Sequence, residues 1–378
     1  MRRSAALVVA LSLVAAGAAS AQPTSGAAIK DQPIGWMKIV AFPSPPKPVT
    51  IDARTYSVAQ LEVGRMLIGW MQSTYAPVGG LGDIVVAVSE KLGHYNQNTA
   101  ALPQSYGALA RIYTDLTFEG GRHVRASNSH IVWSVMVNGF CGEAAEALST
   151  PEHYYFTLPT FAQQVHGGEE SERAVDLSRH PVLGRFPSYF QRNSVNGNRK
   201  FVMLTRDDRL PYVAVTKGEY FSVLEAAVAR LYATEKKKVD GETNVKAREA
   251  FAAALEAKQA RRRATLNANR EKYKDRLSEP AAIWTTEPDA MLENVSDVFE
   301  GSGGSARRLQ VYTFDPKSIA AARTDAPQWV VVSWTAQLTD PASKHLHDAV
   351  ISSFNFQYVF DYFFAPEKVK GQTYAPLK

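Results

Sequence analysis

The residues whose types and spacing suit chemistry are few. His345 and His347 stand two apart and are followed by Asp348. On a strand, alternate residues share a face, so both imidazoles would serve one metal ion. On a helix the same spacing separates them, and Asp340-Pro341-Ala342 reads as a helix start. No His-Glu-x-x-His or cysteine-pair motif accompanies them, so neither a metal nor a cofactor site is assigned. Glu169, Glu170 and Glu172 gather carboxylates but lack the Asp/Asn spacing of a calcium loop, and read as a solvated loop. Ser129 and His130 are neighbours, yet a triad is defined by geometry and not by adjacency. His130 reads as a strand-end histidine. No Gly-x-Ser-x-Gly occurs, which removes the common hydrolase elbow. The glycines at 79, 80 and 82 lack the Gly-Lys-Ser/Thr of a phosphate loop and read as a helix stop. Cys141 is the single cysteine, so an intrachain disulfide is excluded. Its place after Phe140, at the end of an apolar run, marks a small buried hydrophobe.

Charge supplies the strongest signal. From Lys236 to Arg276 there are thirteen Lys or Arg against six Asp or Glu, a net +7, whereas the whole chain carries +5. Arg261, Arg262 and Arg263 form its centre. A basic helix of this kind attracts anionic surfaces, at about 1 kcal/mol per Lys or Arg near anionic lipid. The plainer reading is a solvated face that keeps a long helix soluble. The expected partner is an anionic envelope component met through Arg261, Arg262 and Arg263; nucleic acid is not expected.

The elements that carry these residues follow from pattern. Met1-Arg2-Arg3, the apolar run Ala5 to Ala16 and Ala19-Ser20-Ala21 read as a bacterial secretory leader cut near Ala21. The mature chain would then be periplasmic or extracellular. No later stretch approaches the ~18 apolar residues of a membrane span, so no transmembrane segment is expected. Residues 22–33 read as a disordered lead-in, 34–209 as a strand-rich mixed domain, 210–278 as a helical hairpin, and 279–378 as a mixed segment packing on the rest. Within the hairpin, Thr216 and Glu219 form a capping box, with Val215 and Tyr220 as its hydrophobic staple. Ser57 and Gln60 form a second box. Asp240-Gly241 stops the first hairpin helix. Val245 to Leu277 follows as the second, with Phe251, Leu255, Leu266, Tyr273 and Leu277 on one narrow stripe. Arg262 falls in the gap of that stripe, which implies that the middle of the helix leaves the body of the protein. Strands are expected at Ile34–Phe42, Arg111–Glu119, His130–Phe140, Tyr154–Leu158, Phe201–Thr205, Leu309–Phe314 and Trp329–Thr335, with an apolar run at Ile84–Val88 and Asn193–Lys200 as a turn.

The expected fold is α+β: a mostly antiparallel sheet with packed helices and a long αα-hairpin in the second half. Two functions compete. One is a non-enzymatic binding or structural protein of the envelope with the hairpin as its arm. The other is a periplasmic hydrolase whose site is assembled from scattered residues, His130 and the Glu169 loop among them.

Overall fold

Alternating apolar residues build the central sheet. Its strands are β1 (Leu81–Val88), β2 (Tyr106–Tyr113), β3 (His130–Val137), β5 (Ser188–Gln191), β6 (Arg199–Thr205) and β9 (Trp329–Thr335), and the order across it is β5-β6-β9-β3-β2-β1. Every pairing is antiparallel. A second sheet joins β7 (Tyr212–Ala214), β8 (Leu309–Phe314) and β4 (Tyr155–Thr157) with the short strand Glu143–Ala144, and Ala282–Ile283 adds to β8. This is a computed structural model, and it describes residues 23–24, 29–37, 47–51, 54–88, 102–144, 148–150, 153–158, 176–191, 198–206, 209–284, 292, 297–300 and 308–378.

Because side chains alternate along a strand, each face of the central sheet has its own core. On one face, Trp133, Val135, Val202, Leu204, Val332 and Trp334 pack beneath three helices. These are α1 (Val58–Thr74), α5 (Pro341–Ser353) and α6 (Phe356–Phe364). On the other face, Phe201, Met203, Trp329 and Val331 meet Phe156, Tyr212 and Phe314 of the second sheet. The chain is thus three layers, with α+β architecture as the sequence implies. The segment 279–378 contributes β9, which sits inside the central sheet between β6 and β3.

Local signals set the helix starts. Ser57 Oγ accepts from the Gln60 amide and Gln60 Oε1 from the Ser57 amide, closing the box that opens α1. Asp340 caps α5 by accepting from the Ser343 amide at 2.8 Å, and Asn355 caps α6 through the Tyr358 amide at 3.0 Å. The hairpin helices are α2 (Lys217–Asp240) and α3 (Val245–Lys272), and a short helix α4 (Pro316–Ala321) follows β8. Thr216 and Glu219 make both bonds of their box, and Val215 and Tyr220 are buried together behind it. Where Ile34–Phe42 is expected as a strand, the described part, up to residue 37, makes only isolated bridges at Pro33 and Trp36. The lead-in is corrected in part: Pro23–Thr24 pairs with Leu116–Thr117, and Ile29 is buried with Leu81, Tyr113 and Leu116. An apolar residue with a waiting pocket overrides the polar composition around it. Residues 1–22, the leader with its Ala21 cut site, and the Glu169 loop lie outside the described residues.

Candidate functional site

The arm begins at a fixed root. Tyr220, Phe221, Leu224 and Val228 of α2 share a core with Leu266, Tyr273, Phe299 and Val311. Lys217, almost fully buried, donates to Glu279 at 2.6 Å and lies over the Tyr273 ring. Asp297 accepts from the Tyr273 hydroxyl and from Lys272, and it also caps the Phe299 and Glu300 amides. These donors hold the Asp297 carboxyl below the usual range against the opposing effect of burial, which alone would raise it.

Outward from the root, the hairpin changes character. The buried residues of α3 are Leu255, Gln259, Arg262, Leu266 and Asn269, and Tyr273 follows. Their spacings alternate four and three, the seam of a coiled coil. Half of those positions are polar. Asn269 accepts from the Val298 amide and donates to the Thr265 carbonyl. Arg262, 0% exposed, grips Glu235 of α2 through both terminal nitrogens, at 2.8 and 3.4 Å. Lys258 donates to the same carboxylate at 2.8 Å. Burial raises the Glu235 carboxyl, but its two cationic donors outweigh that and hold it low.

This geometry corrects the sequence reading of Arg262. The residue does not leave the body at a gap in the stripe; it occupies an interior seam position and is neutralised by Glu235. Arg261 and Arg263, its neighbours, are exposed. Two residues of the expected stripe also differ. Phe251 is 52% and Leu277 40% exposed, because α2 ends at Asp240 and leaves Phe251 uncovered. From Lys236 to Ala254 only Val239, Glu242 and Ala247 are even half-buried. Tyr232 reaches Glu256, and Arg270 reaches Glu225 at 2.8 Å, so the helices hold one another. Among the described residues, Lys237, Lys238, Lys246, Arg248, Arg261 and Arg263 have no ion-pair partner. At 1.5 Å per residue the 28 residues of α3 extend about 42 Å.

The other candidates resolve individually. His345 is partly exposed and faces Asp31 at 3.2 Å, whereas His347 is buried and accepts from the Trp334 indole at 3.0 Å. The helix separates them, and among the described residues no cluster suits a metal ion. His130 donates from Nδ1 to the Asn128 carbonyl and rests on Tyr113. Gly79 has φ +70°, the left-handed turn that follows α1. It also lines a cleft of about 400 Å³ with Lys30, Asp115 and Asp340. Cys141 is buried beside the Tyr212 hydroxyl.

One group of titratable residues went unnoticed in the sequence. Lys200 lies on β6 with no exposed surface, and its amine donates to Ser188 Oγ on β5 at 3.1 Å. Burial pushes the amine down to about 8, partly opposed by the nearby Asp176 carboxylate. Asp176 is itself held low, first by the Ser178 amide at 2.9 Å. His347 approaches from α5, and burial drives its imidazole down to about 4. Comparison of the chain with protein-family models, curated proteins and solved structures finds no match.

Proposed function

We propose that the protein is exported to the bacterial envelope and binds an anionic component there through its helical arm. The leader-like first 21 residues support export. The carrying observation is the self-contained distal hairpin: a polar seam holds it together while six cations on its surface lack an ion-pair partner among the described residues. Val245 and Phe251, about half exposed near the tip, add apolar surface beside Lys246 and Arg248. Cationic helices with some apolar surface suit anionic lipid headgroups. Arg261 and Arg263 belong to this surface and Arg262 to its scaffold. No described helix is long and apolar enough to cross a membrane.

The test is co-sedimentation of the full chain with phosphatidylglycerol-containing vesicles. At about 1 kcal/mol per basic residue, Arg261→Gln with Arg263→Gln should weaken binding about 30-fold. Raising salt should weaken the wild type steeply, since exposed charges are screened beyond about 8 Å. Equal binding by variant and wild type at low salt would refute the arm as the contact surface. Arg262 stays unaltered in this test, because its loss would disturb the seam.

A further inference from the structure

We propose that Ser188 and Lys200 form a nucleophile–base pair for acyl transfer, acting on a carboxylic ester or amide at the β5 edge of the central sheet. This is independent of the arm. It rests first on geometry. The amine and the hydroxyl are within hydrogen-bond distance, on adjacent strands whose register fixes them: Ser188 faces Val202 and Phe190 faces Lys200. Both side chains therefore lie on the helix-covered face of the sheet. The two differ in access. Lys200 has no exposed surface, while Ser188 is half-buried and reaches solvent.

That arrangement is what an activated serine requires. A hydroxyl is a poor nucleophile unless a neighbouring base takes its proton. Lysine serves as that base only when its surroundings favour the neutral amine, and desolvation is the strongest way to do so. Lys200 is so placed, between its cross-strand neighbours Phe190 and Trp334, with an amine near 8. Among the described residues, the titratable groups that act on it include Asp176, which favours the charged amine, and His347, which is neutral above about pH 4. A neutral imidazole on that side adds no repulsive charge near pH 7.

The ladder also orients a donor for the developing oxyanion. The Met203 amide donates to the Pro187 carbonyl, so residues 187, 189 and 191 bond toward β6. The amide of Ser188 therefore points away from β6, along the side of β5 that pairs with no strand among the described residues. A nucleophile's own N–H is a common half of an oxyanion hole.

The chemistry balances without a cofactor. Neutral Lys200 accepts the Ser188 hydroxyl proton as Oγ bonds to the acyl carbon and the carbonyl electron pair moves to oxygen. Collapse breaks the bond to the alcohol or amine, which leaves with the proton held by Lys200. Water then attacks the acyl-serine, gives one proton to Lys200, and collapse releases the acid as that proton returns to Ser188. The sum is one water consumed, one acid and one alcohol or amine formed.

The experiment treats the native full chain with an alkyl fluorophosphonate, which phosphonylates activated serines with loss of fluoride, and maps the adduct by mass spectrometry. We expect one adduct, on Ser188, forming faster as pH rises through about 8. Ser188→Ala should abolish it. Lys200→Met and Lys200→Arg should each slow it at least 100-fold, a general base contributing about 10²–10⁴. Lys200→Arg keeps charge and hydrogen bond but cannot accept the proton. If a lysine variant fails to fold by circular dichroism, Ser188→Ala and the pH profile decide. No adduct on Ser188 of the native protein would overturn the proposal. So would a folded Lys200→Arg that labels at the wild-type rate.

Discussion

The Glu235–Arg262 contact makes an asymmetric prediction. Arg262 is wholly buried, so losing the Glu235 carboxylate removes a counter-charge from a guanidinium that no solvent reaches. Removing one side of a buried pair in that way costs about 3–5 kcal/mol. Glu235 is placed differently: its side chain is 28% exposed and keeps Lys258 at 2.8 Å. Losing Arg262 therefore leaves the carboxylate with water and one cation, and a leucine at 262 continues the seam between Leu255 and Leu266. We expect Glu235→Ala to destabilise by about 3–5 kcal/mol and Arg262→Leu by only about 1–2 kcal/mol. The double variant Glu235→Leu/Arg262→Leu should return to within about 1 kcal/mol of wild type, because a packed apolar pair replaces an ion pair at little cost. Lys258, about a quarter exposed, can turn its amine into solvent. The assay is hydrogen exchange of the α2 and α3 amides, with urea unfolding for the whole chain. If Arg262→Leu costs as much as Glu235→Ala, the burial asymmetry does not govern the seam and the reasoning fails. A double variant no better than Glu235→Ala would refute it as well.

Two further outcomes follow from local geometry. Thr216→Ala removes an acceptor for the Glu219 amide and half of the box at the start of α2, so it should cost about 1 kcal/mol in urea unfolding; Thr216→Ser should recover most of it. His347 falls from 6.5 in the unfolded chain to about 4 in the fold, so the unfolded state binds its proton more tightly. Its contribution is therefore complete above pH 6.5, shrinks as pH falls toward 4, and is level below. At about 1.4 kcal/mol per unit the loss totals about 3 kcal/mol. Unfolding measured from pH 7 to 4 should show this slope in the wild type and a flatter one in His347→Gln. Parallel curves would exclude His347 as the source.

Much of the fold was readable because its determinants are local. Leu309–Phe314 and Trp329–Thr335 are strands with the bounds their apolar runs suggest, since a buried strand needs little besides such a run and a turn at each end. Both capping boxes close because their partners are three residues apart. The order β5-β6-β9-β3-β2-β1 was not readable: β9 enters between β6 and β3 from more than a hundred residues away, and no local pattern encodes that. The lead-in was misread for a similar reason, as Ile29 is ordered by Leu81, Tyr113 and Leu116, all distant in sequence.

The residues behind the two proposals were missed or misplaced through one kind of signal. Residues 255, 259, 262, 266, 269 and 273 keep seam spacing throughout, but Gln259, Arg262 and Asn269 interrupt it with polar side chains, so only the large apolar residues registered as a stripe. Arg262 then looked like an exit to solvent, when its phase was interior and its partner Glu235 lay on the preceding helix. On β6 the alternation 200, 202, 204 puts Lys200 in phase with Val202 and Leu204, which are core residues. Reading Asn193–Lys200 as a turn hid that phase by starting the strand at Phe201, two residues late. In both places a charged side chain stands where the period demands an apolar one. Such a residue is costly to bury without a partner, so its phase is itself a statement that a partner exists. For Arg262 the partner is a carboxylate, and the result is scaffold. For Lys200 the neighbours include the Ser188 hydroxyl and the Asp176 carboxylate, and burial still favours the neutral amine. That balance between burial and the Asp176 carboxylate is what the acyl-transfer proposal turns on, whereas the Arg262 pair is a direct ion pair.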